Sequence, residues 1–321
     1  MKYSYLLLLC SACLFSCSYT STPTKHISNL PSPPEGYKWV VNEDFSDEFN
    51  GNQLDETKWY RKSPHWTNGR PPATFKAENV SVKDGYLRIT NRFLEHKEGK
   101  DGKPGDIYYL SGGAVASKSD KAFYGYYECR MKASKTTMSS TFWMKNAPEK
   151  QILNIDGKEI ECSVRQELDI QETVGDPKVL EGEKKSWVLN TNKRMGSNTH
   201  YNYYYKDPVT GKHIKGHKSV SGSCENIENT SEVFHTYGCW WKDATTLDFY
   251  LDGKYVFTIH PDTTLDKEPF SRPMYMHMVT ETYDWEKVRP TVEDLKDEEK
   301  ATTLYDWVRS YKLVPKENAS L

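Results

Sequence analysis

No long block of one charge sign interrupts this 321-residue chain, in which 43 Lys and Arg stand against 45 Asp and Glu for a net charge of −2. Nucleic-acid binding through a basic field is therefore disfavoured, because it leans on neutralising phosphates. Intrinsic disorder is disfavoured as well, since it needs few aromatics and a large net charge. No apolar run is long enough to span a bilayer. There is no Cys-x-x-Cys pair and no Cys/His metal spacing, so a zinc-type site is not expected. Internal repeats are absent, no domain-scale linker follows Gly36, and helical patterning is confined to residues 291–300. What the chain does have is rings: 9 Trp, 22 Tyr and 11 Phe, 13% of the sequence. Aromatics at that density serve sheet packing or a stacking surface. Composition does not choose between the two.

The N-terminus indicates where the chain works. Met1-Lys2 is a short basic start, and residues 5–15 are apolar but too short for a transmembrane helix, which reads as a secretory signal. Leu14-Phe15-Ser16-Cys17 resembles a bacterial lipobox, with Cys17 the lipidated residue. The expected organisation is a signal peptide at 1–16, a lipidated Cys17 with a polar tether at 17–35, and one folded body at 36–321. The expected location is the bacterial outer membrane, on either face, through a lipid anchor. Four cysteines remain in the body: Cys129, Cys162, Cys224 and Cys239. Export permits disulfides and four cysteines allow three pairings, while free buried thiols are the other reading.

The body reads as short strands punctuated by turns. Val80-Ser81-Val82 leads through Lys83-Asp84-Gly85 into Tyr86-Leu87-Arg88-Ile89-Thr90, a hairpin with an Asp-Gly turn, and residues 247–259 repeat the pattern around Asp252-Gly253. Residues 124–131 alternate with period two, and residues 303–311 do so less cleanly. Many short strands with turns between them predict an all-β sandwich or jelly roll in one domain.

The chemistry concentrates in Gln166-Glu167-Leu168-Asp169-Ile170-Gln171-Glu172-Thr173. On a strand Glu167 and Asp169 share one face while Leu168 and Ile170 share the other. Glu172 points the wrong way unless a β-bulge at Ile170-Gln171 restores it, and bulges are frequent next to active sites. Three acids then converge, a costly arrangement unless some are protonated or act on a substrate. The set suits glycoside hydrolysis, in which a retaining enzyme needs an ionised nucleophile and a protonated acid/base about 5–5.5 Å apart. Regular spacing leaves the outer Cα atoms over roughly 13 Å apart, so the sheet must curve and the long Glu side chains must lean inward.

These residues resemble the bulged signature of glycoside hydrolase family 16, a β-jelly-roll family of retaining endo-acting enzymes. The resemblance covers nearly the whole mature chain. Phe45-Ser46-Asp47-Glu48-Phe49-Asn50-Gly51 resembles the opening strand, and Tyr124-Gly125-Tyr126-Tyr127-Glu128 the strand before the cleft. Ser139-Ser140-Thr141-Phe142-Trp143 precedes the acidic strand, and Tyr305-Asp306-Trp307-Val308-Arg309-Ser310-Tyr311 resembles the closing one. The resemblance implies two curved antiparallel sheets with a concave substrate cleft, Glu167 as nucleophile, Asp169 as assisting acid and Glu172 as acid/base. It implies no required cofactor. A structural calcium on the convex side would draw on Asp44, Asp47 or Asp306, although no dense oxygen-ligand loop is present.

Within the family, His65-Trp66-Thr67-Asn68-Gly69-Arg70-Pro71-Pro72, Arg194-Met195-Gly196-Ser197-Asn198-Thr199-His200 and Thr280-Glu281-Thr282-Tyr283-Asp284-Trp285 resemble members acting on red-algal galactans. The expected partner is a polysaccharide, porphyran or agarose, cleaved at β-1,4-galactosidic bonds by a monomer. Trp66 and Trp143 would stack on sugar faces, and Arg70, His200 and Glu281 would bond hydroxyls or a sulfate. An arginine fork beside Trp66 suits the 6-sulfate of porphyran and favours it over agarose. Carrageenase, β-glucanase or transglycosylase activity uses the same acids. A non-catalytic surface glycan-binding lipoprotein would explain the anchor and the aromatics, but not the acids.

Overall fold

Asp-Gly turns set the hairpins of the computed structural model, which describes residues 29–317. Val80–Lys83 pairs with Tyr86–Thr90 across Asp84 (φ 57°) and Gly85 (φ 80°). Thr246–Leu251 pairs with Lys254–Ile259 across Asp252 (φ 50°) and Gly253 (φ 74°). Two successive left-handed residues are what a two-residue hairpin needs, and glycine supplies the second without steric cost. The signal segment, Cys17 and the tether up to residue 28 lie outside the described residues.

From Pro31 onward the described residues form one body built on two eight-stranded sheets. The first runs Lys254–Ile259, Thr246–Leu251, His235–Asp243, Gly125–Lys132, Thr302–Pro315, Tyr86–Thr90 and Val80–Lys83, with Tyr37–Val41 also on Thr302–Pro315. The second runs His213–Glu225, Arg194–Lys206, Lys158–Val174, Ser139–Lys145, Tyr275–Val279, Ala114–Ser117 and Trp59–Tyr60, with Glu149–Ile155 also on Lys158–Val174. All pairings within these two sheets are antiparallel, as the jelly-roll reading expects. A third, three-stranded sheet contains the parallel pair Ala73–Phe75 and Tyr108–Gly112, which no local pattern announced.

The core lies between the two large sheets. Tyr127, Cys129 and Met131 of one strand and Tyr305 and Val308 of its neighbour share a buried cluster with Phe142, Met144, Leu168 and Ile170 of the second sheet. Burying such side chains contributes roughly 1.5–3 kcal/mol each. The untidy alternation of residues 303–311 has a local cause: the register against Gly125–Lys132 steps between Tyr305 and Trp307, leaving Asp306 as the extra residue.

The expected helix at 291–300 is two short ones, Val292–Lys296 and Glu298–Ala301. Asp297 divides them by taking an extended conformation and accepting the Lys300 N–H as the second helix's cap, a role for which Asp is well suited. All four cysteines are unbonded. Cys129 and Cys239 lie in the apolar core, where burial pushes their thiols up and keeps them unreactive. Asp47 spends one carboxylate oxygen on the Phe49 N–H and the other on the Trp59 indole, and Asp306 is paired with Arg130.

Candidate active site

The long strand Lys158–Val174 lies between Ser139–Lys145 and Arg194–Lys206. Against Ser139–Lys145 its register steps: Phe142 faces Gln171 while Trp143 faces Asp169, so Ile170 has no counterpart. Leu168 and Ile170 are both fully buried in the core. The extra residue is thus taken up on the inner side, and Glu172 arrives opposite Thr141 on the face that holds Glu167 opposite Lys145 and Asp169 opposite Trp143. The bulge inferred from the sequence is present at that place.

Asp169 is buried, and His200 Nε2 lies 3.1 Å from its Oδ2. Side-chain atoms of Glu167, Asp169 and His200 lie within 4.8 Å of one another. Burial and the neighbouring Glu172 and Glu167 hold the Asp169 carboxyl well above the usual range. Glu172 is raised as well, chiefly by burial, and Tyr283 opposes this by donating its hydroxyl to Oε1 at 2.6 Å. Burial alone would lower His200, but Asp169, Glu167 and Glu172 outweigh it and raise the imidazole to about 9. Two raised carboxyls thus stand beside an imidazolium, the kind of arrangement by which one site keeps one carboxyl ionised and another protonated near neutral pH.

Around these acids the structure gathers Trp66, Arg70, Trp143, His200 and Glu281, the residues expected to bind substrate. Trp66 packs edge-on against Trp143 at 5.6 Å between ring centroids. Trp143 is 4% exposed and stacks on His277 at 4.3 Å. It is the floor beneath Trp66, and Trp66 is the ring left half-open to the cleft. The Arg70 guanidinium lies 5.5 Å from the Trp66 ring centroid and 5.3 Å from that of Tyr283. It stands 3.6 Å from both Glu281 and Asp284. Its fork therefore already meets two carboxyl groups. Glu281 is buried, which raises its carboxyl to about 8 despite the opposing Arg70.

Sequence reasoning assigned no role to Lys145, Arg165, His217 or Tyr283. Lys145 lies opposite Glu167, two residues on from Trp143 and on the same face. Its ammonium sits 4.8 Å from the Trp66 ring and 4.9 Å from the Trp143 ring. Burial lowers it to about 8, against the pull of Glu167. Arg165 precedes Glu167 by two and shares its face, so period two would have found both cations. Nothing local identifies Tyr283, which reaches Glu172 from another part of the chain.

The cleft has two arms that meet at Glu172 and Tyr283. One is a cavity of about 660 Å³ reaching past Glu167, Arg165, Lys145 and His200, and the other is about 450 Å³ and runs past Trp187, Trp285, Thr191 and Ser223. Three acids with split protonation at the junction of a two-armed cleft can protonate a glycosidic oxygen and attack the anomeric carbon. Removing the Tyr283 hydroxyl tests the proton balance. That bond favours ionised Glu172, so Tyr283→Phe should raise the Glu172 pKa further. The alkaline limb of the kcat/KM profile should move to higher pH, because the protonated form survives longer. An unmoved or acid-shifted limb would remove Tyr283 from control of that proton.

Comparison with known proteins agrees with this geometry. Residues 39–313 match the family model described as beta-porphyranase A–D, GH16 domain. The chain is 56% identical over 318 residues to beta-porphyranase B of Phocaeicola plebeius, covering 97% of this chain and 98% of the relative. It is 52% identical to beta-porphyranase E of Zobellia galactanivorans, covering 88% and 91%. The crystal structure of the beta-porphyranase BpGH16B from the human gut bacterium Bacteroides plebeius superposes with a TM-score of 0.83 at 56% identity, over 91% of this chain and 98% of that one. A match over most of the chain, sharing the two-sheet architecture and converging on a bulged triple-acid strand, makes this protein a member of the β-porphyranase A–D group of glycoside hydrolase family 16.

Proposed function

We propose that the protein is an endo-acting, retaining β-porphyranase that cleaves β-1,4-galactosidic bonds next to 6-sulfated galactose. Glu167 attacks the anomeric carbon as Glu172 gives its proton to the departing sugar oxygen, leaving a galactosyl ester on Glu167. Glu172, now ionised, takes a proton from water, and the water oxygen displaces Glu167 from the same carbon. Two inversions give net retention. Asp169, its carboxyl raised by burial and by the neighbouring Glu172 and Glu167, and the His200 imidazole beside it are the proton-holding groups next to the two glutamates.

The observation that carries the sulfated substrate is a recess where two cationic side chains and an amide donor come together. Beside Glu167 a pocket of about 110 Å³ is lined by His65, Lys145, Asn146, Arg165 and Tyr275. Arg165 Nε and Asn146 Nδ2, on two of its lining residues, are buried with no hydrogen-bond partner among the described residues. The Asn146 amide is held in place because its Oδ1 accepts the Gln166 N–H at 2.7 Å. Buried donors are ordinarily satisfied, and leaving one unsatisfied costs about 1–3 kcal/mol. A sulfate ester, which has only acceptor oxygens and one negative charge, satisfies all of them together. Arg70 was the sulfate reader expected from the sequence; with Glu281 and Asp284 at its fork, Lys145 and Arg165 are better placed. The kinship to proteins named β-porphyranase supports the same substrate.

Product analysis on porphyran and agarose side by side tests the reading. Porphyran should yield sulfated oligosaccharides with retained β-anomers, faster than agarose yields its own. Faster release from agarose would transfer the protein to the agarases, and release from neither would favour a binding protein.

A further inference from the structure

The strands Arg194–Lys206 and His213–Glu225 continue well past the acids as a two-stranded ribbon, paired without interruption from Arg194 opposite Glu225 to Lys206 opposite His213. Alternate residues face the cleft. His200, opposite Glu167, begins a row that continues through Asn202 paired with His217 and ends at Tyr204 paired with Lys215. Those four ribbon residues beyond His200 all line the larger arm. Strand rise puts Tyr204 about 13 Å from His200, beyond any ring held at the acids.

The two faces of the ribbon are used differently. Tyr203 and Tyr205 turn away from the cleft, stacked parallel at 6.4 Å and packed against the buried Leu153, Cys162 and Val164. Tyr204 does no such packing and is 39% exposed. The Lys215 ammonium stands 5.8 Å from the Tyr204 ring centroid. Ion pairs form elsewhere on these strands, as between Arg194 and Glu225, but none involves Lys215 among the described residues. The row from Asn202 outward contains a ring, a lysine, a histidine and an amide, and no acid. The opposite arm is lined by Trp187, Trp285, Thr191 and Ser223 and is close to neutral apart from Glu172 and Arg194, the latter facing Glu225.

We propose that the outer row of the ribbon is a second anion subsite, separate from the recess beside Glu167, which takes a further sulfate ester of the same galactan chain. Tyr204 takes the apolar face of a sugar ring, and Lys215 takes the sulfate that ring or its neighbour carries. The charge difference between the arms then fixes polarity: the densely sulfated stretch of chain extends along the ribbon, on the Glu167 side, and the Trp-lined arm holds neutral sugar. This rests on the porphyranase reading and deepens it.

The test separates the two. In full-length protein, Lys215→Ala and Tyr204→Ala should each raise KM on polymeric porphyran by about tenfold, the worth of one charged hydrogen bond or one stacked ring, with kcat unchanged. The shortest porphyran oligosaccharide that the wild type cleaves should be processed as before, because it ends short of the ribbon. Lys215→Arg should restore most of the loss. Equal losses on polymer and short substrate, or no loss on polymer, would overturn the ribbon subsite. If wild type does not cleave porphyran, the function reading fails by itself, and the ribbon is judged by binding. Glu167→Gln protein should then be retarded in porphyran-containing gels, and adding Lys215→Ala should weaken that retardation about tenfold. Retardation unchanged by the second substitution, or none at the outset, would sink the ribbon subsite.

Discussion

Replacing Glu167 by Gln should abolish release of reducing ends from porphyran, with a fall in kcat on the order of 10⁴-fold or more, while the fold stays intact. The change removes one oxygen's charge and leaves the shape of the side chain, so stability should hardly move; if anything, relieving repulsion among coupled acids helps. Azide then separates the roles of the two glutamates. With Glu172→Ala and an aryl galactoside, whose leaving group needs no acid, the galactosyl ester still forms. Azide needs no general base and displaces Glu167 from the β face to give a β-galactosyl azide. With Glu167→Ala, azide enters the vacated α face and expels the leaving group directly, giving an α-galactosyl azide. Opposite anomers from the two variants would establish nucleophile and acid/base, and the reverse pattern would exchange the assignments. Full activity in Glu167→Gln would remove the residue from the chemistry altogether.

Lys145→Met should move stability and activity in opposite directions. In the native protein Lys145 is buried, with an amine lowered to about 8. At pH 7 a lysine so depressed costs up to roughly 3 kcal/mol relative to the unfolded chain. The contacts of its ammonium with the Trp66 and Trp143 rings offset about 1 kcal/mol or more of that. Methionine fills similar volume without the charge, so the variant should be more stable by about 1–2 kcal/mol at pH 7. The sign with pH follows from proton counts. Between about 8 and 10.5 the unfolded chain holds the Lys145 proton and the native state does not, so wild-type stability rises through that window. The advantage of the variant should therefore be greatest below pH 8 and fade by pH 10.5. Over the same change kcat/KM on porphyran should fall about 10–100-fold, since a hydrogen bond to a charged group is worth about 1.5–3 kcal/mol. Activity on porphyran whose 6-sulfate has been cyclised by alkali should not fall in step. Thermal melts across pH, with both substrates assayed in parallel, check the two halves. Parallel losses on both substrates would make Lys145 a structural support for Glu167 and not a sulfate reader.

Local rules reached far into this protein. Asp-Gly pairs predicted the hairpins at Asp84-Gly85 and Asp252-Gly253 because a tight two-residue turn requires left-handed backbone at both positions, a demand that neighbouring residues alone can meet. Strand parity put Glu167 and Asp169 on one face and Leu168 and Ile170 on the other, so the need for a bulge before Glu172 was already a consequence of the sequence. The family resemblance rested on the same stretches, and the fold agrees with it.

Tertiary structure decided everything that depends on which strands become neighbours. Ile170 is the unmatched residue because Phe142 and Trp143 lie across from Gln171 and Asp169, a pairing with no trace in the strand's own pattern. Trp143 stacks on His277 and meets Trp66 edge-on, both far along the chain, so its ring supports the cleft while Trp66 opens to it. Arg70 finds Glu281 and Asp284, and Lys145 finds two rings and, among the described residues, no carboxylate within ion-pair distance. Those opposite fates of two cations lie behind the choice of sulfate reader. Backbone conformation and side-chain parity are short-range properties that a single strand carries with it, whereas burial, charge pairing and proton affinity are set by whatever the completed sheets bring alongside.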